Sequence, residues 1–464
     1  MKKMKFLSMM MLATMTLSMM VSCSKDDDDS GINVVIDENG QTSNGSTFYT
    51  IDNQNFYLDN IQYSVNGGHL MVSGYDKIRF NGEAKIVDRI TYKGNTYEVR
   101  EIGERAFDRC EKLTSLTIPH SVTTIGGWAF SNCSGLTSLT IPNSVTSIGQ
   151  HAFQWCKGLT SLNIPNSVTE IGEAAFYNCI GLTSLTIPSS ITELGACAFL
   201  NCSGLTSVNI PSSFTSISHS AFAGCSGLTS VSIPNSVKII QVSAFQNCSG
   251  LTSVTIPGSV TSIELCAFSD CSSLTSINIP NSVTSIGDMA FQHCSSLTSV
   301  TLPNSITSID NGLFFNCSSL TSITIPESVT SIGFEAFRKC KSLTSIMIPE
   351  SVNTITYGAF MECSGLTSLS IPNSVTSIED YTFSLCSGLT SITIPESVTS
   401  IGNNAFTFCG NLKTIHCLGT TPPTFDYAFD TTTFNDATLY VSRGSAATYK
   451  STDNWGMFQN ILEE

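Results

Sequence analysis

The feature that most constrains the fold is a repeat of 23 residues that runs from residue 102 to residue 417. Thirteen prolines, from Pro119 to Pro395, follow one another at this spacing with no insertion or deletion. Fifteen phenylalanines, fourteen cysteines and fourteen leucines keep the same spacing. A fixed period of about 20 to 50 residues is typical of a solenoid, in which each repeat packs only against its neighbours.

A single repeat has too small a core to fold alone. The repeat that begins at Leu113 contains six large apolar residues, and burying them stabilises by roughly 12 kcal/mol in total. Ordering its backbone costs about 1–2 kcal/mol for each residue, which is more than that gain. Stacked coils add ladder hydrogen bonds and shared cores. We therefore predict a β-rich repeat solenoid of about fourteen coils, in which an insertion would offset every column above it.

The first part of each repeat predicts a strand. In the repeat at Leu113, Leu116 and Ile118 alternate with Ser115 and Thr117, which places the apolar pair inward and the hydroxyl pair outward. Pro119 ends the strand, because a proline nitrogen cannot donate to the ladder.

The second part of each repeat predicts a turn, a short strand and a helical segment. Ser121 and its equivalents are predicted to satisfy buried turn amides from coil to coil. A second strand is predicted within residues 122–125. Gly126 is predicted to allow a bend into a short helical or 3-10 turn, which carries Phe130 and Cys133.

This pattern of leucine, isoleucine, proline, Ser-Val, Ile-Gly, Ala-Phe and cysteine resembles the BspA-like leucine-rich repeats of bacterial surface proteins. The resemblance covers residues 102–417 and implies a right-handed leucine-rich-repeat stack. It departs from the general leucine-rich repeat, whose asparagine column is here occupied by Ser121 and its equivalents. For function, the resemblance implies adhesion or protein binding and not catalysis.

Residues 1–22 are predicted to be a lipoprotein signal peptide. Lysines stand at positions 2, 3 and 5, before an apolar run from residue 6 to residue 21. The sequence Met-Val-Ser-Cys that ends at Cys23 resembles a bacterial lipobox, whose cysteine is lipidated. The alternative is an ordinary secretory signal with an incidental cysteine at position 23.

Residues 23–46 are predicted to be an acidic tether and linker. Adjacent carboxylates repel one another and keep a segment extended and solvated. The run after Cys23 also resembles the export signal that sends lipoproteins of some Gram-negative anaerobes to the outer face of the outer membrane. The residues concerned are Lys25, Asp26, Asp27, Asp28 and Asp29. We therefore predict a cell-surface lipoprotein of the outer membrane that faces the exterior.

The period is absent on both sides of the repeats, and these segments are predicted to cap the stack. Residues 47–101 contain turn signals at positions 66–68 and 93–95 between short β-rich runs, which predict hairpins. Residues 418–464 begin with a proline pair, and residues 438–441 are predicted to form a last strand. Apolar cover for the core is expected from Tyr449, Trp455, Phe458 and Ile461.

The eighteen cysteines are predicted to include no disulfide within the repeated column. Fourteen belong to that column and Cys23 to the lipobox, which leaves Cys197, Cys266 and Cys417. Equivalent positions in adjacent coils lie about 4.8 Å apart with parallel Cβ directions, whereas a disulfide needs a Cβ separation of about 3.5–4.5 Å and inclined directions. We interpret the column as free thiols that act as small apolar side chains.

Catalysis, cofactors and metals are not indicated. The sequence contains no nucleophile elbow, zinc-binding helix, phosphate loop or paired-carboxylate signature, and its six histidines occupy unrelated repeat positions. A net charge of −15 argues against nucleic acid as a partner. We predict that the protein is not an enzyme and needs no cofactor.

Two surfaces are candidates for binding. The strand face is uncharged and rich in hydrogen-bonding groups, so it is either a docking face or simply a soluble β surface. Its candidate residues are Ser115, Thr117, Ser138, Thr140, Ser161, Asn163, Ser184 and Thr186. The other surface carries aromatic residues that differ between coils, which either anchor a partner or fill gaps between turns. These candidate anchors are Trp128, Trp155, Tyr177, Tyr357 and Tyr381.

The sequence as a whole favours a surface-anchored, non-catalytic protein that binds host or bacterial surface proteins. The alternative is a glycan-binding lipoprotein of a nutrient-capture system, which the hydroxyl-rich strand face would fit. An enzyme with an unrecognised site is the third possibility.

Overall fold

The computed structural model describes residues 32–464, and the predicted signal peptide, Cys23 and the acidic run after it lie outside this range. Between residues 102 and 417 the chain forms a stack of 23-residue coils. One series of short parallel strands occupies the predicted strand position of every coil except that of residues 345–347. These strands are Ser115–Thr117, Ser138–Thr140, Ser161–Asn163, Ser184–Thr186, Ser207–Asn209, Ser230–Ser232, Ser253–Thr255, Ser276–Asn278, Ser299–Thr301, Ser322–Ile323, Ser368–Ser370, Ser391–Ile394 and Thr414–Cys417.

A second series of two-residue strands follows the turn after every proline except Pro188, as predicted. Its strands are Thr124–Ile125, Ser147–Ile148, Glu170–Ile171, Ser216–Ile217, Ile239–Ile240, Ser262–Ile263, Ser285–Ile286, Ser308–Ile309, Ser331–Ile332, Thr354–Ile355, Ser377–Ile378 and Ser400–Ile401. Both series pair in parallel with a register of one whole repeat, so that Ser138 lies opposite Ser161 and Ile125 opposite Ile148. Equal coil lengths are what keep identical side chains in register along each face.

A third set of hydrogen bonds links the coils around the phenylalanine column. The amides of Arg105, Phe107 and Arg109 donate to carbonyls of the next coil at 2.9, 2.7 and 2.7 Å. The alternate amides, those of Ala106 and Asp108, instead close local turns onto carbonyls three residues earlier. Every backbone N–H in this segment is therefore satisfied, half of them locally and half by the neighbouring coil.

The short helical turn that we predicted here is wrong in its geometry, because no helix forms between residues 102 and 417, all of which the structure describes. Two residues in each coil take left-handed backbone angles instead, two positions before and two positions after the phenylalanine. The first left-handed column is Arg105, Trp128, His151, Ala174, Cys197, Ser220, Ser243, Cys266, Met289, Gly312, Glu335, Gly358, Tyr381 and Asn404. The second left-handed column is Arg109, Asn132, Trp155, Asn178, Asn201, Gly224, Asn247, Asp270, His293, Asn316, Lys339, Glu362, Leu385 and Phe408.

Gly126 does not form the predicted bend, but it allows the backbones of adjacent coils to pack closely. It is absent from the residues with positive φ. A Cβ atom built on it would lie 2.8 Å from the backbone nitrogen of Glu104 in the preceding coil. Gly149 would meet the nitrogen of Gly127 at 2.6 Å in the same way. The glycine column therefore lets successive backbones approach each other closely.

Ser121 and its equivalents do not accept hydrogen bonds from turn amides as predicted. In six coils the serine hydroxyl donates to a carbonyl of the preceding coil, as Ser190 does to Val168 at 2.6 Å. In the other seven coils, including that of Ser121, the hydroxyl oxygen is buried without a partner. The column links some coils, but it is not a continuous ladder.

The core runs through the middle of the stack as columns of identical side chains. Phenylalanines of adjacent coils stack with nearly parallel rings, and their centroids lie between 5.1 and 6.0 Å apart. The leucine and cysteine columns beside them are buried as completely. Because each ring is covered by one ring above and one below, no coil has a core of its own.

The N-terminal segment forms a mostly antiparallel sheet that continues both ladders. Its strands are Asn33–Val35, Phe48–Thr50, Asn55–Leu58, Ile61–Asn66, His69–Tyr75, Glu83–Lys85, Arg89–Tyr92 and Asn95–Ile102. The turns predicted at residues 66–68 and 93–95 each join two antiparallel strands. Asn95–Ile102 of this sheet pairs with Thr124–Ile125, and Glu83–Lys85 pairs with Ser115–Thr117 in a separate sheet, so the N-terminal segment covers the first edge of both strand series.

The C-terminal segment extends the first strand series by two further strands. Thr438–Val441 forms as predicted, but it is not the last strand, because Asn460–Glu463 pairs with it in parallel. The short helix Thr431–Asp436 precedes these two strands, and the helix Ala446–Ser451 and the 3-10 turn Trp455–Met457 lie between them. The four predicted cover residues of this segment are all buried, and Trp455 donates its indole N–H to the carbonyl of Pro423 at 2.6 Å.

Candidate binding surfaces

The outward side chains of the first strand series form one exposed surface, which we call the hydroxyl face. It consists of the first and third residues of each strand, from Ser115 and Thr117 onward. All eight of the candidate residues named from the sequence lie on it and are exposed, while the residues between them point into the core. The structure therefore brings these candidates together on one surface with a regular spacing set by the coils.

The five candidate anchors lie elsewhere, around the left-handed columns, and all of them except Tyr357 are half-buried. The indole of Trp128 is covered on one side by the guanidinium of Arg105, 5.1 Å from the ring centroid. The imidazole of His151 stacks on it at 4.9 Å with an interplanar angle of 15°. His151 is held in turn by a 2.5 Å hydrogen bond with Gln154. Trp128 thus packs between Arg105 and His151. It fills a gap between turns, which is one of the two alternatives predicted from the sequence.

Trp155 and Tyr177 form a second pair in the next coils. Their rings meet edge to face with centroids 5.6 Å apart, and the ammonium group of Lys157 lies 4.8 Å from the Trp155 ring. Edge-to-face pairs and cations over indole are both attractive arrangements. Both aromatic residues are half-buried, so they expose only part of each ring.

Tyr357 and Tyr381 belong to a third aromatic group, together with Phe334. The Phe334 and Tyr357 rings stack at 5.2 Å with an interplanar angle of 14°, and the Tyr357 and Tyr381 rings follow at 5.3 Å. Phe334 and Tyr357 are exposed, at 45% and 38%. Because Tyr357 has a ring on each side, it presents its edge and hydroxyl group to solvent.

Charged residues form a network beside this aromatic group. Arg338 donates to Glu362 at 2.9 Å and to Glu335 at 2.6 Å, and its guanidinium lies 5.5 Å from the Phe315 ring. Partial burial opposes the charge of Arg338, but the hydrogen bonds to the two carboxylates outweigh it and raise the pKa of the guanidinium. The network crosses coils and holds its side chains in place.

The cysteines of the described chain are all free thiols, as predicted for the column. Each column thiol from Cys133 onward donates to the carbonyl of a phenylalanine 26 residues earlier, as Cys156 does to Phe130 at 3.1 Å. Burial raises the pKa of the Cys156 thiol to about 12. A thiol with so high a pKa is a poor nucleophile and a poor metal ligand at neutral pH. Cys197 and Cys266 are only partly buried.

Residues 32–464 contain neither a metal-ligating cluster nor a membrane-spanning helix. Within this range no group of three or more His, Cys, Asp or Glu side chains is arranged to hold a metal ion. The same range contains no helix with the length and apolar character that crossing a bilayer requires.

Sequence reasoning missed two features of these surfaces. The left-handed columns could have been recognised in the sequence, because neither contains valine, isoleucine or threonine. Side chains branched at Cβ are strongly disfavoured at positive φ. Met347 also escaped attention. It occupies the Thr117 position of its coil on the hydroxyl face and is 83% exposed.

Stacked 23-residue coils with an inward leucine and isoleucine column and a parallel ladder on one face define a leucine-rich-repeat solenoid. The chain belongs to the family of the BspA type leucine rich repeat region, whose model matches six copies over residues 89–206, 192–321 and 308–435.

Two solved structures of bacterial proteins are similar to this chain. A leucine-rich repeat protein from Bacteroides ovatus is 33% identical with a TM-score of 0.75, and the match covers 84% of this chain and 100% of that one. A leucine rich cell surface protein from Faecalibacterium prausnitzii is 28% identical with a TM-score of 0.44, over 79% of this chain and 95% of that one. No curated protein matches the chain.

Proposed function

We propose that this chain is a non-catalytic protein of the bacterial surface that binds host or bacterial surface proteins through its hydroxyl face. The observation that carries the proposal is the row of exposed, uncharged side chains repeated at constant spacing along the strands. Such a surface offers donors and acceptors with little charge to desolvate, which suits a broad polypeptide partner. The similar protein from Faecalibacterium prausnitzii is described as a cell surface protein, which supports the location.

A polypeptide fits the aromatic groups better than a sugar does. Carbohydrate binding commonly uses an open aromatic face, but Trp128 lies between Arg105 and His151, and Tyr357 lies between Phe334 and Tyr381. The dense hydroxyl groups of the strand face still favour a glycan as the second candidate, and a glycan array tests that alternative directly.

A binding experiment tests the main proposal with matched variants. The chain without its signal peptide would be immobilised and exposed to panels of host matrix proteins and bacterial surface proteins. Thr140→Arg with Thr186→Arg places two charges on the hydroxyl face, whereas Gln150→Arg with Ile180→Arg places two at exposed turn positions. We expect the first pair to weaken capture of a partner by at least about tenfold and the second pair to leave it unchanged. Equal effects, or no partner in either panel, would contradict the proposal.

Surface anchoring is a separate part of the proposal and has its own test. We propose that lipid on Cys23 holds the chain in the outer membrane, and that Lys25 and the four aspartates direct it outward. Cys23→Ala is expected to release the protein or to leave it unprocessed. Replacing residues 26–29 with alanine is expected to leave it facing inward, protected from protease added to intact cells. Unchanged protease access after the alanine replacement would defeat the export signal.

A further inference from the structure

One coil contributes no strand to the first strand series. Every other coil between residues 115 and 417, all of them described, contributes a strand of two to four residues, but residues 345–347 form none. Their connection to the preceding coil is the single bridge between Thr324 and Met347. On the other side, Ser368–Ser370 pairs with Ser391–Ile394 and with no second strand. Residues 344–348 still lie beside Ser368–Ser370, because the amide of Thr367 donates to the carbonyl of Thr344 at 3.2 Å and Ile346 and Ile348 are buried.

A cleft opens on the hydroxyl face at this coil. Its volume is about 730 Å³, and its walls include Met347, Ser370, Thr393, Glu327 and Glu350. Residues from four successive coils contribute to the walls, so the cleft runs across the coils along the stack. The turns after Pro326 and Pro349 supply the two acidic residues.

Met347 gives this cleft an apolar contact that the rest of the face lacks. The equivalent residues of the neighbouring coils are Thr324 and Ser370, and the column consists of Ser, Thr and Asn apart from Met347 and His416. Met347 is 83% exposed, so most of its apolar surface is in contact with water. Burying that surface against a partner would therefore be favourable. A flexible thioether side chain also adapts its shape to different apolar groups.

The charge of the cleft is negative and uncompensated. Glu327 and Glu350 are both exposed, and within residues 32–464 neither of them is part of an ion pair. Glu350 accepts one hydrogen bond, from the amide of Asn373 at 2.9 Å, and keeps a second carboxylate oxygen available. The chain as a whole carries a net charge of −15, which adds to the attraction for a cation.

From these observations we propose that the cleft at Met347 is a docking site for an extended, basic peptide segment of a partner protein. An extended segment in the cleft would hydrogen-bond to the exposed hydroxyl groups of Ser345, Ser368 and Ser370. One of its apolar side chains would cover Met347, and a lysine or arginine would pair with Glu327 and Glu350. This site rests on the proposed protein-binding function and names the chemistry of the segment that it recognises.

The test uses two matched synthetic peptides and the chain without its signal peptide. One fluorescent decapeptide alternates lysine with valine, and its control replaces each lysine with glutamate. Binding is followed by fluorescence anisotropy at low and high salt. We expect the lysine peptide to bind, the glutamate peptide not to bind, and the affinity to fall as salt screens the charges.

Two variants test whether the peptide binds in the cleft, and both change only exposed residues outside the core. Met347→Thr restores the residue type of the equivalent Thr324 and is expected to weaken the lysine peptide by about tenfold. Glu327→Gln with Glu350→Gln is expected to weaken it by a similar factor, about tenfold, and to remove most of the salt dependence. With methionine methyl groups labelled by ¹³C, the signal that Met347→Thr removes is expected to shift when the peptide is added.

The outcomes separate this site from the general function. Failure of the lysine peptide to bind, equal binding of both peptides, or an unchanged affinity in Met347→Thr would overturn the docking site. If Thr140→Arg with Thr186→Arg still abolished capture of a partner protein, the proposed function would stand without this site. A Met347-dependent peptide affinity with no partner in the panels would support the site and contradict the broader proposal.

Discussion

Each left-handed column lies only two residues from the phenylalanine column, yet the residue type is constant in the phenylalanine column and varies widely in the left-handed columns. The interior position of the column, from Phe107 to Phe429, is phenylalanine in every coil. The left-handed positions beside it hold arginine, tryptophan, cysteine, glycine and many other residues. The difference shows what each position must satisfy. A buried ring must fit between two identical rings. A left-handed residue needs only to adopt its backbone angle, so any side chain that is not branched at Cβ can occupy the position.

The strongest test of this comparison is a substitution in the phenylalanine column, where we expect the largest effect on stability. The ring of Phe245 is fully buried and stacks between those of Phe222 and Phe268, at 5.7 and 5.5 Å. Phe245→Ala should therefore destabilise the stack by about 3–5 kcal/mol. Because the coils interact only with neighbours, we expect a second melting transition at lower temperature in calorimetry, or a new protease cut near residues 240–250. A single unshifted transition would show that the column is not the core.

Cysteine occurs in both regions, so thiol labelling compares them with one residue type. Cys248 is buried in the column, where burial raises the pKa of its thiol to about 12. Cys197 and Cys266 occupy the first left-handed column and are only partly buried. At pH 8 we expect a thiol reagent to modify these two at least about 100-fold faster than the column thiols. Mass spectrometry of the modified sites measures the difference, and uniform labelling of the native protein would contradict it.

A smaller effect is expected when a branched side chain is placed at a left-handed position. Asn247 has φ of 57° and an exposed side chain, two residues after Phe245. Asn247→Val should destabilise by about 1–2 kcal/mol, because a branched Cβ is strained at positive φ. Asn247→Gly is the matched control and should be neutral or slightly stabilising. Denaturant unfolding of both variants measures the difference, and similar stabilities would show that the left-handed angle imposes no constraint.

The smallest effect is expected on the hydroxyl face. Thr255 is exposed at the end of the strand Ser253–Thr255. Thr255→Ala should change the free energy of unfolding by no more than about 0.5 kcal/mol, because it removes no buried contact. If its effect approached that of Phe245→Ala in the same unfolding assay, the assignment of inward and outward positions would be wrong.

The sequence was sufficient for the features that depend on the period. The strand series, the parallel register and the inward columns follow from the 23-residue spacing and from the alternation of Leu116 and Ile118 with hydroxyl residues. The predicted strand of residues 438–441 also forms, as do both N-terminal hairpins. In each case a local pattern and the stacking requirement indicate the same structure.

The turn geometry was predicted less well, because it depends on contacts that the sequence of one coil does not reveal. A run such as Glu-Arg-Ala-Phe-Asp-Arg is compatible with a helical turn, and only the hydrogen bonds of Arg105, Phe107 and Arg109 to the next coil favour the alternating arrangement. The role of Gly126 depends in the same way on the backbone of Glu104 in the coil before it. The absence of a strand at residues 345–347 was also unforeseen, since Ser-Ile-Met alternates as the neighbouring strands do.

The neighbour-only bonding of the coils has a consequence for the size of the protein. Backbone and thiol hydrogen bonds between coils span 22 to 26 residues, as from Thr146 to Thr123 and from Cys156 to Phe130. A gene that gained or lost one whole repeat would therefore encode a chain whose remaining coils keep all their partners except at the new junction. Each such event would change the length by about 4.8 Å. The distance at which a surface protein of this kind presents its distal end is thus adjustable in small, structurally neutral steps.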